Sequence, residues 1–339
     1  MADAPPARRG RILRLLAGLL LTLAALAASA YGGFRWALAE YEAPGPLGEE
    51  RAVVIPRGAA TGTIAQRLAE AGVIDNARVF LAAAWVTSEA GPLRAGEYAF
   101  PARASLRTVL ETLRSGRTVQ RRLTVPEGLT VAQILALLEQ AEGLTGSVAP
   151  PPEGSLLPET WSYSWGDTRE SLVRRMREAM DQALAEAWAQ RAEDLPLASP
   201  REALILASII ERETGVAEER GKVAGVFVNR LRRGMPLQSD PTVIYAVTDG
   251  AGVLDRPLSR ADLATDHPHN TYRNRGLPPT PIASPGRASI LAAVRPAETD
   301  ALYFVADGRG GHVFSRTLEE HNRAVARLRA IERERRGTN

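Results

Sequence analysis

The chain has 339 residues, of which 45% are hydrophobic and 24% are charged. This composition is typical of folded globular proteins and excludes a largely disordered chain. The formal net charge is only +3, and so weak a positive charge argues against nucleic acid as the main ligand. The chain contains no cysteine, which excludes disulfide bonds, thiolate metal sites and a cysteine nucleophile. The length leaves room for a membrane anchor and about two domains.

The N-terminus carries a membrane-anchor pattern. Arginines cluster within residues 8–14, and an uncharged run then extends from Leu15 to Phe34. A run of roughly 20 apolar residues spans the hydrocarbon core of a bilayer. The charge asymmetry predicts a cytoplasmic tail at 1–14, a transmembrane helix at 15–34 and an exported remainder. The alternative is a cleaved signal peptide with its cleavage site in the small residues 27–30, although cleavable apolar cores usually have only ~7–15 residues.

A strand–turn–helix pattern occurs twice after a predicted linker at residues 35–50. The first copy runs from Val53 to Leu68 and the second from Leu123 to Leu138. Each has a β-rich run, a Pro-x-Gly turn, a threonine that can cap a helix and an amphipathic helix. The pattern resembles LysM-type sugar-binding modules and predicts a small LysM-like α+β domain at 51–148. A purely structural domain is the alternative.

A proline-rich stretch at 149–152 predicts the boundary of a second domain, which covers residues 149–335. An aromatic cluster at 161–165 can belong to the core or line a sugar cleft. Helices are predicted at about 170–192 and at 200–214, the latter with Ser199 as its N-cap. Near the end we expect a β-hairpin around a glycine-rich turn, followed by a charged helix.

The helix at 200–214 carries the strongest candidate for catalysis. Its segment from Ala203 to Ile210 is almost entirely apolar, and Glu211, Arg212 and Glu213 follow immediately. A carboxyl group at the edge of a buried core loses hydration and can hold a proton near neutral pH. A general acid for a glycosidic oxygen needs this property. The alternative is a helix-end charge paired with an arginine, and periodicity alone does not choose between the two glutamates.

Ordered sequence blocks connect this helix with a known family. The blocks are Leu204 to Thr214, Val223 to Leu231, Met235 to Tyr245, Asn270 to Tyr272, Gly276 to Pro279, Pro281 with Ile282, Pro285 with Gly286, Leu302 to Asp307, Gly311 to Phe314, and His321 with Asn322. They resemble the YceG-like (MltG) endolytic murein transglycosylases. The family's layout of anchor, LysM-like module and C-terminal catalytic domain also matches the rest of the chain.

The resemblance implies a function and a catalytic residue. It assigns catalysis to Glu211, which would protonate the oxygen between N-acetylmuramic acid and N-acetylglucosamine. The same carboxylate would then deprotonate the 6-hydroxyl of the muramic acid, which closes a 1,6-anhydro ring, so one carboxyl group can act as acid and then as base. No cofactor or metal is implied. The implied location is the periplasmic side of the bacterial inner membrane, where penicillin-binding synthases are possible partners.

Polar residues within the family blocks are the candidates for substrate binding. We expect them to line the cleft, and they are Asn229, Gln238, Asp240, Tyr245, Asn270 and Tyr272. Two of these residues can instead have a purely structural role: Asp240 can cap the following helix, and Asn229 can form a hydrogen bond between helices. The chain departs from the family pattern at His269, Thr280 and Ser284, where tyrosine, glycine and asparagine are usual, and at 157–159, which lacks the usual Phe-Pro-Asp.

Three rival functions follow from other features. A zinc site at Asp266, His267 and His269 has no obvious further ligand. A serine hydrolase is disfavoured because the sequence lacks the Gly-x-Ser-x-Gly motif around a nucleophilic serine. A non-catalytic, membrane-anchored scaffold that binds peptidoglycan remains the main alternative. The predicted fold is α+β: one transmembrane helix, a LysM-like domain, and a mostly helical, lysozyme-reminiscent catalytic domain with a C-terminal β-hairpin.

Overall fold

The structure, a computed structural model, describes residues 7–337. Residues 1–6 of the predicted cytoplasmic tail lie outside this range. The described chain is a helix-rich α+β fold in which strands pair into separate two-stranded sheets. Contacts between residues divide the chain into a first unit, residues 1–120, and a second unit, residues 121–339.

Helix α1 extends over Ala7–Glu42. Its segment Leu13–Glu42 is long and apolar enough to cross a membrane and is not buried by the rest of the protein. The helix continues past the predicted end of the span at Phe34, so residues 35–42 of the predicted linker are helical. The reason is local, because the first proline after the span is Pro44 and proline is the strongest helix breaker.

The first unit then forms one small α+β core. Its elements are β1 (Arg51–Ile55), α2 (Thr61–Glu70), α3 (Ala77–Val86), β2 (Gly96–Phe100) and α4 (Leu106–Ser115). Strands β1 and β2 are antiparallel, with Val53 opposite Tyr98. The inward faces of both strands and the apolar stripes of the helices bury a common core that includes Leu68, Phe80 and Leu110.

The second unit is larger and mostly helical. Its elements are β3 (Gln120–Thr124), α5 (Val131–Gln140), β4 (Thr160–Ser164), α6 (Arg169–Ala189), α7 (Pro200–Glu213), α8 (Arg220–Arg232), α9 (Asp240–Val247), α10 (Arg260–Leu263), α11 (Arg287–Val294), β5 (Tyr303–Ala306), β6 (His312–Ser315) and α12 (Leu318–Gly337). The predicted C-terminal hairpin is confirmed, since β5 and β6 are antiparallel with Phe304 opposite Phe314.

The division at residue 120 differs from the boundary at 148 that the sequence predicts. The second strand–turn–helix copy pairs its strand β3 with β4, which lies beyond the proline-rich stretch. Its helix α5 buries Ile134 and Leu138 in a core with Leu156, Tyr163 and Leu172. Residues 121–148 therefore belong to the second unit, because their apolar face has its partners there.

Helix α7 lies at the centre of the second unit. Ser199 caps it by accepting the N–H of Glu202, and Pro200 occupies its first turn. Residues 205–210 are all buried. Ser208, the polar residue in this run, donates to the carbonyl of Ile205 at 2.7 Å and accepts the N–H of Ile282 at 3.0 Å. The hydrogen bond between Ser208 and Ile282 holds the segment before α11 against the middle of α7.

The aromatic cluster at 161–165 contributes to the interior. Tyr163 is buried, and Trp161 packs against the cores around α5 and α7. The indole of Trp161 donates to the carbonyl of Leu157 at 3.1 Å. Trp165 covers Gly143 and lies under the guanidinium of Arg121. These contacts favour the core interpretation for Trp161 and Tyr163.

Close packing at α8 gives a test of the fold. A methyl group at Gly225 would lie 2.5 Å from the carbonyl oxygen of Ala297 and 2.7 Å from Cγ2 of Thr299. Gly225→Ala is therefore expected to destabilise the second unit by about 1–3 kcal/mol. Gly62→Ala in α2 is the control, because its methyl group would meet no atom within 4 Å. Calorimetry of both variants checks this, and equal unfolding temperatures would contradict the packing.

Candidate active site

The two glutamates at the end of α7 lie in different surroundings. Both side chains are half-buried, and Arg212 between them is exposed. Because successive helical residues are about 100° apart, Glu211 and Glu213 point to nearly opposite sides of the helix. Arg212 donates to the carbonyl of Gly128 at 3.1 Å. The turn after β3 is thereby attached to the end of α7.

Glu211 is held by the start of helix α11. Its Oε2 accepts the backbone N–H of Gly286 at 2.9 Å, and Gly286 is the N-cap of α11. The first N–H groups of a helix lack partners inside the helix and favour an anion there. Since α11 packs along α7, the same packing brings Gly286 to Glu211. The contact fixes one carboxyl oxygen of Glu211.

A second carboxyl group, that of Glu127, also lies against Gly286. A Cβ atom at Gly286 would be 1.7 Å from Oε1 of Glu127, so this space is open to the carboxylate only because residue 286 is glycine. Partial desolvation raises the pKa of Glu127, and the negative charge of Glu211 raises it further. The positive charge of Arg220 acts in the opposite direction.

Sequence reasoning missed Glu127, although a signal was present. The two strand–turn–helix copies have the turns Pro56-Arg57-Gly58 and Pro126-Glu127-Gly128. The middle residue is the basic Arg57 in the first copy and the acidic Glu127 in the second copy, which belongs to the second unit. Its proximity to Glu211 depends on a long-range contact that no periodicity reveals.

Backbone hydrogen bonds join the Glu127 turn to the Gly286 segment. The N–H of Gly128 donates to the carbonyl of Ser284 at 2.9 Å, and the N–H of Ser284 donates to the carbonyl of Leu129 at 2.8 Å. Ser284, a departure from the family pattern, is thus a structural part of the site. Its Oγ and the Nε of Arg220 are buried without a hydrogen-bond partner in the structure. Such atoms require an explanation in a native fold, and a polar ligand can provide one.

Glu213 belongs to a separate polar network. Its Oε1 accepts a short hydrogen bond from the hydroxyl of Ser239. Burial raises the pKa of Glu213 to about 7, and the nearby charge of Asp240 adds to this rise. The Ser239 hydrogen bond and the charge of Arg230 oppose it. Glu213 can therefore hold a proton near neutral pH.

Three of the predicted substrate-binding residues join this network. Asp240 accepts a hydrogen bond from the hydroxyl of Tyr272 at 2.6 Å. Burial raises the pKa of the Tyr272 hydroxyl above its usual range, and Asp240 contributes to the rise. Gln238 accepts a hydrogen bond from Arg230 at 3.3 Å through its side chain. The structure thus brings Gln238, Asp240 and Tyr272 together beside Glu213.

The two predicted asparagines bind backbone groups. Asn229 donates its amide to the carbonyls of Thr299 and Ala301 at 2.7 and 3.1 Å. Asn270 is completely buried and donates to two carbonyls within residues 263–265. Both amides hold connecting segments in place, and Asn229 bonds to the segment between α11 and β5, not to another helix as its structural alternative expected.

Tyr245 lies in a third group, with two departures from the family pattern. Its ring centroid is 4.9 Å from that of His269. The Nε2 of His269 is 2.8 Å from Oγ1 of Thr280, so the two departures contact each other. Burial lowers the pKa of His269 to about 4, with His267 adding to the effect, which keeps the ring neutral. Within residues 7–337, no three His, Asp or Glu side chains group together to hold a metal ion.

Comparison with known proteins places the chain in a family. A sequence model of the YceG-like family matches residues 53–327, and the chain belongs to this family. It is similar to a Bacillus subtilis protein named endolytic murein transglycosylase, with 33% identity over 80% of this chain and 82% of the relative. A Streptococcus pneumoniae protein of the same name is 31% identical over 91% of this chain, which spans 64% of the relative.

A solved structure supports the same assignment. The crystal structure of a yceG-like protein from Listeria monocytogenes aligns with a TM-score of 0.51 and 30% sequence identity. The alignment covers 81% of this chain and 99% of that protein.

The Glu213 network predicts a pH dependence of stability. The folded pKa of about 7 lies above the ordinary value of 4.5. The stabilising effect of the bound proton is therefore complete below about pH 4.5 and is lost as the pH rises through 7. The thermal midpoint of the wild type, relative to that of Glu213→Gln, is expected to fall between pH 5 and pH 8. Thermal melts at several pH values check this, with Glu139→Gln as the exposed control. Parallel curves for wild type and Glu213→Gln would contradict the buried-proton interpretation.

Proposed function

We propose that the chain is an endolytic murein transglycosylase, a lyase that cleaves the β-1,4 bond between N-acetylmuramic acid and N-acetylglucosamine within a peptidoglycan strand. The observation that carries the proposal is the Glu211 carboxyl group, held at the end of the buried helix α7 by the N–H of Gly286. It occurs in a chain of the YceG-like family, and the relatives' names support the reaction class.

In the proposed reaction, Glu211 acts first as an acid. Its protonated carboxyl group gives a proton to the glycosidic oxygen, and the bond from that oxygen to C1 of the muramic acid breaks. The leaving strand keeps the proton as a 4-hydroxyl group. The N–H of Gly286 stabilises the carboxylate that Glu211 becomes.

Glu211 acts next as a base. Its carboxylate takes the proton from the 6-hydroxyl of the same muramic acid, whose oxygen attacks C1 and closes a 1,6-anhydro ring. Protons balance without water, because the proton lost in the first step is regained in the second. The attack is intramolecular, which gives it a large effective concentration.

The polar groups around α7 are proposed to form the substrate cleft. Gln238, Asp240 and Tyr272 would bind sugar hydroxyl and acetamido groups next to the Glu213 network. Tyr245 would contribute an aromatic face further along the strand. Asn229 and Asn270 would support the cleft from behind, through the backbone segments that they hold.

The location and modular roles are proposed from α1 and the first unit. Helix α1 would anchor the protein in the bacterial inner membrane, with the arginine-rich tail in the cytoplasm and both units on the periplasmic side. The first unit would bind glycan as a LysM-like module, and a lysozyme-reminiscent catalytic domain would follow it. Cleavage there would limit the length of nascent strands, in cooperation with penicillin-binding synthases.

Matched isosteric variants test the proposed catalytic residue. Glu211→Gln removes the transferable proton but keeps the side-chain shape, so release of 1,6-anhydro ends from purified glycan strands is expected to fall by at least about 10³-fold. Glu213→Gln keeps a neutral hydrogen-bonding group in the Ser239 network and is expected to retain most of the activity.

Three other results would contradict the proposal. Full activity in a folded Glu211→Gln protein would refute its role, and selective loss in Glu213→Gln would move catalysis to that residue. If the wild type binds strands in co-sedimentation yet leaves them intact, the protein is a peptidoglycan-binding scaffold.

A further inference from the structure

We propose that Glu127 is a second carboxyl group of the active site and stabilises the positive charge that develops on the muramic acid ring as the glycosidic bond breaks. The inference rests on the proposed function. The sequence predicts a single glutamate that carries out both proton transfers, and a second, ionised carboxyl group would add a negative charge beside the oxocarbenium-like transition state.

The first argument is the distance between the two carboxyl groups. Oε2 of Glu211 is 2.9 Å from the nitrogen of Gly286, and the carboxylate of Glu127 lies against the Cα of the same residue. With standard backbone dimensions, these contacts place the two carboxyl groups within roughly 8 Å of each other. Paired carboxyl groups that flank a glycosidic bond lie about 5–9.5 Å apart. Glu127 is thus close enough to act on the same sugar.

The second argument is that the Glu127 carboxylate has no structural task. Within residues 7–337, no hydrogen bond or ion pair engages it, and the side chain is exposed. A merely structural glutamate at this position would be expected to cap α11 or pair with an arginine. Here the N–H of Gly286 is given to Glu211 instead, which leaves Glu127 available to a ligand.

The third argument is the rigidity of the turn that carries Glu127. The preceding Val125 donates its N–H to the carbonyl of Glu159 at 3.0 Å. The following Gly128 is buried, donates to Ser284 and accepts from Arg212. A side chain on a backbone fixed at both ends is held in place before substrate binds, which electrostatic stabilisation of a transition state requires.

The fourth argument is the charge around the pair. Two carboxyl groups in one site favour the state in which one holds the proton and the other is ionised. Desolvation and the negative charge of Glu211 raise the pKa of Glu127, and the positive charge of Arg220 opposes this rise. The proposed reaction uses the state in which Glu211 holds the proton and Glu127 is the anion. Glu127 forms and breaks no covalent bond in this scheme.

The test compares charge and shape at residue 127 in the full-length protein. Glu127→Gln keeps the shape and removes the charge, and Glu127→Asp restores the charge on a shorter side chain. With uncross-linked glycan strands as substrate, Glu127→Gln is expected to lower kcat about 10²-fold with little change in KM. Glu127→Asp is expected to recover part of this loss. Glu139→Gln, an exposed change on α5, is the matched control and is expected to keep wild-type kinetics.

The pH profile provides a readout that a structural role would not change. In the wild type, kcat is expected to fall at acidic pH as Glu127 becomes protonated, and this acidic limb is expected to be missing in Glu127→Gln. Wild-type kcat with an unchanged profile in Glu127→Gln would overturn the inference, as would a rise in KM alone or a loss that Glu127→Asp does not relieve. A fully active Glu211→Gln protein would instead refute the proposed function on which the inference rests.

Discussion

The hydrogen bond from the N–H of Gly286 to Glu211 is the contact on which the candidate site depends. It joins the last turn of α7 to the first residue of α11, so the packing of these two helices sets the position of the carboxylate. Ser208, one turn earlier on α7, fixes Ile282 and hence the approach of the same segment. The hydrophobic core thus positions the Glu211 carboxyl group, and the absence of a side chain at residue 286 leaves room for Glu127.

Helix geometry gives the two glutamates of α7 separate tasks. Glu211 faces the α11 segment and Glu127, whereas Glu213 enters a polar network with Ser239 and Asp240. A raised pKa by itself would favour Glu213 as the acid. Access to a second carboxyl group and to a helix N-terminus favours Glu211. The proposed reaction needs an acid that becomes a stabilised carboxylate, which the surroundings of Glu211 provide more directly.

Local pattern in the sequence predicts part of this structure well. The apolar run of α7 with its Ser199 cap, the C-terminal hairpin and the long apolar N-terminal helix follow from periodicity, capping and length, which act within a few residues. The family assignment follows from ordered motifs and is confirmed by the match over residues 53–327. For the helices and the hairpin, the decisive interactions join residues that are close together in the sequence.

The rest of the structure depends on long-range pairing. The boundary near residue 120 arises because β3 pairs with β4, and α5 finds its core partners beyond the proline-rich stretch. Glu127 approaches Glu211 only through the turn that pairs with Ser284. The same limit applies to Asn229 and Asn270, whose motif positions indicate importance but whose contacts are with distant backbone carbonyls.

The central claim is that Glu211 directs attack by the sugar's own hydroxyl group and not by water. Digestion of glycan strands in ¹⁸O-labelled water, followed by mass spectrometry of the new muramic acid ends, tests this most directly. The account predicts ends that lack one water molecule and carry no ¹⁸O. Hydrated reducing ends that acquire ¹⁸O during cleavage would contradict it and would make the protein a hydrolase.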